Sequence, residues 1–88
     1  MRKNSSFILR DIYGKKVLIP IKANEVGDEP ILMNDVGADI WNEADHADSL
    51  VSLVDSITKK YNLHDGSVEQ QAVKEFICNL IDLKLIFV

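Results

Sequence analysis

The sequence predicts an α+β domain, a three-stranded antiparallel sheet followed by three helices in the order β-β-β-α-α-α. Three observations carry that expectation. Residues 7–21 (FILRDIYGKKVLIPI) place two β-rich runs on either side of Tyr13-Gly14-Lys15-Lys16. The apolar run Ile31-Leu32-Met33 stops at Asn34-Asp35, where helical spacing begins at once. Beyond it, three successive stretches carry apolar residues on one helical face.

Each element has a local reason. In the hairpin, Val17, Ile19 and Ile21 alternate onto one face, and Pro20, lacking an N–H, calls for an unpaired side or a bulge. Residues 22–29 (KANEVGDE) read as a polar loop, and residues 30–33 as a short third strand. Asn34 or Asp35 caps the first helix, whose apolar face is Val36, Ile40, Trp41 and Ala44. The second helix follows Asp48-Ser49 and aligns Leu50, Leu53, Val54, Ile57 and Tyr61 before the turn 62–66. The third begins at Ser67, where S-x-x-Q forms a capping box with Gln70. Its apolar positions, Val68, Ala72, Val73, Phe76, Ile77, Leu80 and Ile81, span a wider arc than one buried stripe needs. LIFV at 85–88 reads as a last short strand. The second and third helices resemble a helix-turn-helix pair, so the domain is winged helix-turn-helix-like.

Size and composition narrow the function classes. A chain of 88 residues builds one domain, here 1–88, and one this small has a modest core. No apolar run approaches the roughly 18 residues that cross a bilayer, and the amino terminus lacks a signal-peptide core, so the expectation is cytoplasmic with no membrane partner. The single cysteine, Cys78 in FICNLI, reads as a buried, inert thiol. The net charge of −4 hides a split. Residues 1–22 hold Arg2, Lys3, Arg10, Lys15, Lys16 and Lys22 against Asp11 alone. Residues 23–47 hold Glu25, Asp28, Glu29, Asp35, Asp39, Glu43 and Asp45 with no lysine or arginine.

The residues of catalysis are missing. His46 and His64 have no second histidine or cysteine at ligand spacing, so no metal site is expected and both read as solvated loop residues. Asp39 and Glu43 at i,i+4 read as an exposed face, and the scattered glycines form no phosphate loop. The chain therefore reads as no enzyme, with no cofactor. A winged-helix DNA-binding regulator is the alternative. Its third helix, however, offers Glu69, Gln70, Gln71, Lys74, Glu75, Asn79, Asp82 and Lys84 with no arginine, a poor match to a polyanion. Binding of an extended peptide at the free edge of the short third strand fits better. A self-association surface on the wide apolar arc is a third reading, and a monomer or weak dimer is expected.

The stretches ILMNDVGADIW, SLVSLVDSITKKYNL and VEQQAVKEFICNLIDLKLI resemble the PqqD family, the peptide-recognition elements of pathways that make and modify ribosomal peptides. The resemblance runs from about residue 7 to residue 87 and rests on Met33-Asn34, Ile40-Trp41, Tyr61-Asn62-Leu63 and Val68/Ala72/Val73/Phe76/Ile77/Leu80. Two positions depart from the family pattern. Lys84 stands where glycine commonly follows the third helix, and Ala72 stands where a larger apolar residue is frequent, leaving a shallower pocket. The resemblance implies a scaffold, a peptide chaperone without catalysis. The leader of a precursor peptide would add as a strand beside Ile31, Leu32 and Met33 and pack against Gln70, Val73, Lys74 and Ile77, while Val68 and Ala72 face the core. The peptide would then be presented to a modifying enzyme, often a radical S-adenosylmethionine protein.

Overall fold

A computed structural model describes residues 1–21 and 30–88; the polar loop expected at 22–29 lies outside the described residues. The expected sheet and three helices are present, and a second, smaller sheet joins the two ends of the chain.

The hairpin is β2 (Phe7–Ile12) and β3 (Lys15–Pro20), preceded by a short β1 (Arg2–Lys3). Its turn is tighter than the sequence suggests. Only Tyr13 (φ 51°) and Gly14 (φ 81°) make it, both left-handed as a two-residue primed turn requires. Lys15 and Lys16 therefore belong to β3, where Lys15 pairs with Ile12 and Lys16 with Asp11. The Asp11 carboxylate accepts from the Gly14 amide (3.0 Å) and from Lys16 Nζ (2.7 Å), tying the turn to both strands.

β4 (Ile31–Met33) runs antiparallel to β3, giving the order β2-β3-β4. Strand alternation divides this sheet into two faces. Phe7, Leu9, Leu18, Ile31 and Met33 point to the helices, and Leu18 is wholly buried. Val17, Ile19 and Ile21, the cleanest alternation in the sequence, lie on the opposite face, away from the core. Pro20 is paired with β2 only, because β4 reaches no farther along β3 than Leu18.

α1 (Asp35–Ala44) starts one residue after β4, with Asn34 as its cap: the Asn34 Oδ1 accepts from the Gly37 amide at 2.7 Å. The helix buries Gly37, Ala38, Ile40, Trp41 and Ala44. α2 (Leu50–Lys60) carries a complete capping box, Ser49 with Ser52. α3 (Val68–Asp82) does not, contrary to its S-x-x-Q signature. Ser67 Oγ accepts from the Gln70 amide (3.1 Å), but the Ser67 amide is already taken by the His64 carbonyl. The Gln70 side chain instead accepts from the Gly66 amide (2.8 Å) and donates to Thr58 Oγ1 on α2 (3.1 Å).

Both later helices end without glycine. Asn62 (φ 53°) and Lys84 (φ 60°) take the left-handed conformation, and Leu63 and Leu85 donate back to the carbonyls of Thr58 and Leu80. Lys84 thus performs the turn that glycine usually makes, and α3 stops at Asp82. The turn sends Leu85 and Ile86 into the core, where β5 (Ile86–Phe87) pairs with β1, an element the sequence did not suggest. The core joins Leu18 and Met33 to Ile40, Trp41, Leu53, Ile57, Ile77, Leu80 and Ile86. Cys78 is exposed rather than buried: α3 buries Val73, Ile77 and Leu80, and one residue past Ile77 is about 100° around the helix. No helix among the described residues is long and apolar enough to cross a membrane.

Candidate functional site

β4 has β3 on one side, and among the described residues no strand on the other. A three-residue strand is short for an edge, yet it is held firmly at one end. Asn34 ends it and caps α1, while Ile31 and Met33 anchor into the core and leave Leu32 67% exposed. The outer edge of such a strand offers backbone donors and acceptors to an incoming extended chain.

Beside this edge lies an apolar cavity of about 370 Å³ between α1 and α3, lined by Val36, Gly37, Ile40, Leu63, Ala72, Val73 and Phe76, with Asn34, Tyr61 and Glu69 at its rim. Phe76 also borders a second hollow shared with Leu32, Met33, Lys15 and Lys16, so one ring sits between the strand edge and the cavity. The close approach depends on Gly37. A Cβ there would lie 2.9 Å from the Phe76 ring, 3.1 Å from the capping Asn34 oxygen and 3.3 Å from the Met33 sulfur. An interior helix glycine costs about 1 kcal/mol against alanine, and here it makes room for three side chains at once.

The strand half of the sequence-derived site and its helix half fare differently. Ile31, Leu32 and Met33 form the open edge. On α3, Val73 (6% exposed) and Ile77 (0%) are core residues, Val73 touching the cavity floor; Gln70 faces α2, and Lys74 is exposed. Val68 (82% exposed) and Ala72, expected to face the core, face outward, and Ala72 lines the cavity. Val73 from one border and Ala72 from the other both line the cavity, while Val68 does not. Burial of Val73, Ile77 and Leu80 sets the rotation, which leaves Gln70 bonded to Thr58 on α2 and brings Glu69, Ala72 and Phe76 beside the cavity next to α1. Ala72, with its single methyl, leaves that wall open rather than shallow.

The rim beyond the cavity is charged. Asp39 does not face Glu43; it accepts a short hydrogen bond from the Tyr61 hydroxyl and pairs with Lys60 at 3.3 Å. The bond to Asp39 holds the Tyr61 proton in place, with burial second, and its pKa is pushed up to about 12. A phenol so held is a brace between α1 and the end of α2, unsuited to proton transfer near neutral pH. Among the described residues no group of histidine, cysteine and carboxylate side chains could hold a metal ion.

Residues 17–86 match the model of one protein family, described as coenzyme PQQ synthesis protein D (PqqD). No match to the chain was found among curated proteins or among solved structures.

Proposed function

Because the chain belongs to the PqqD family, we propose that it is a non-catalytic peptide-binding module, which captures the leader of a ribosomally made precursor peptide and presents it to a modifying enzyme such as a radical S-adenosylmethionine protein. The observation that carries this reading is the edge of β4 with no described strand on its outer side, next to the apolar cavity between α1 and α3. An extended peptide pairs with backbone groups that any sequence possesses, which supplies affinity. Side chains that alternate toward the helix enter the cavity beside Phe76, Ala72 and Leu63, which supplies selection. At about 370 Å³ the cavity suits roughly one or two apolar side chains. Affinity is modest, since the leader loses conformational freedom on docking.

Titration of isotopically labelled protein with leader peptides encoded beside this chain tests the reading. The amides of residues 31–34 and the side chains of Ala72 and Phe76 should shift together. Leu32→Pro should abolish binding while the helical circular dichroism stays intact. The missing N–H either removes a donor from the outer edge or loosens β4 from β3. If every such leader leaves these resonances unmoved, the proposed role is wrong.

A further inference from the structure

The sheet has a second unoccupied surface, on the side away from the helices. Cross-strand pairs Ile8–Ile19, Arg10–Val17, Ile12–Lys15 and Val17–Leu32 all point there. Ile8, Ile12 and Leu32 are 39%, 43% and 67% exposed, and Ile21 continues the row at 59%. Arg10 and Lys15 are the charged residues of this face; both are exposed, and among the described residues neither makes an ion pair. Among the described residues no carboxylate lies on it. In a chain of net charge −4, a face that is aliphatic and whose described charged residues are both cations is a marked departure from the rest of the surface.

We propose that this face docks a protein partner whose own surface presents an apolar patch bordered by carboxylates, and that the partner is the enzyme receiving the peptide. The inference rests on the function proposed above. Charge selects this occupant. A second copy meeting face to face would bring Arg10 and Lys15 against their own duplicates, with no acid between them. Two cations amid aliphatic side chains give nucleic acid few phosphate contacts and no aromatic stacking. An apolar patch ringed by acids satisfies both halves of the surface at once.

Strand geometry then links this face to the edge. A peptide strand added to β4 has every second side chain on the same face as Leu32 and Val17. The partner therefore meets sheet and leader as one continuous surface. Leader and enzyme should strengthen each other's binding by the same factor, as linkage requires.

The test uses the full chain, the leader peptide and the purified modifying enzyme encoded beside it. Two variants are compared, Arg10→Glu and Ile19→Glu, the first altering one exposed side chain away from the peptide groove and so keeping the fold. Each should weaken enzyme binding by about tenfold or more, with leader binding to the free chain unchanged. Enzyme binding that matches wild type in both variants overturns the proposal, as does a wild-type chain that fails to bind the enzyme. So does binding to phosphatidylglycerol vesicles, or self-association in sedimentation, that either variant removes while enzyme binding persists. Failure of the leader to bind the wild-type chain instead overturns the peptide-binding function, separately from the variant comparison.

Discussion

The two faces of the three-stranded sheet are about equally aliphatic, and among the described residues only one is covered by helices. The inner face, with Phe7, Leu9, Leu18, Ile31 and Met33, meets α1 and the rest of the core; the outer face, with Ile8, Val17, Ile19 and Leu32, meets no helix. Apolar content therefore does not say which face is the core. Chain direction does: β4 runs into α1 through Asn34, and the helix must fold back over one side. The side that no described helix covers keeps its aliphatic side chains, which in a small domain is a cost in solubility and a sign of use.

Truncation should separate the faces most sharply. Leu18→Ala should cost about 2–5 kcal/mol of stability, because it empties a wholly buried position. Ile12→Ala, on the outer face and 43% exposed, should cost under about 1 kcal/mol. Urea denaturation of the two variants measures both, and equal losses would mean that the outer face is covered after all.

A smaller effect probes where the inner face opens into the cavity. Gly37→Ala adds a methyl that crowds Phe76, Asn34 and Met33. The gain of about 1 kcal/mol in helix propensity offsets part of the crowding, so stability should change little. The Phe76 ring must swing aside, however, and leader affinity should fall several-fold by calorimetry. Unchanged affinity would show that the ring does not shape the groove.

The smallest effect concerns the polar end of the inner face. Hydrogen bonding and attraction from Lys16 hold the Asp11 carboxyl below its ordinary 3.8, and the Lys16 pKa is raised in return. A lowered carboxylate pKa stabilises the fold above 3.8, and that contribution disappears as pH falls through the lowered value. Both groups are exposed, so screening keeps the effect slight. The Gly14 amide resonance should report the titration during acidification, and Asp11→Asn should remove it.

What could be read in the sequence was local, and what could not was a matter of rotation or distance. The strand alternation, the Asn34 cap and the three helices depend on neighbours within a few residues, and all are present. The arc of α3 was visible, but periodicity has no phase relative to other elements; burial of Val73, Ile77 and Leu80 against the rest of the core supplies it. For the same reason Phe76, Leu63 and Val36 could not be assigned to one cavity. Gly37 did carry a signal, since a glycine inside a capped helix usually has a packing reason. Lys84 carried none. Its left-handed turn follows from the burial of Leu85 and Ile86 beyond it. Arg2 and Lys3 have no strand signature and are paired only because Ile86 and Phe87 come to lie beside them.

That last pairing bears on how the molecule assembles. Arg2 with Phe87 and Lys3 with Ile86 join residues almost a chain length apart, so their contact closes the longest loop available and yields only two residue pairs in return. The small sheet should zip up after the hairpin and helices and be the first part to fray. Lys3 also rests over the indole of Trp41 at 5.7 Å and donates its amide to Asp45 at 2.8 Å. The chain has one tryptophan, buried beneath that segment. Its fluorescence is thus a built-in clock for the final step of folding, distinguishing a molecule whose ends have met from one whose hairpin and helices are already in place.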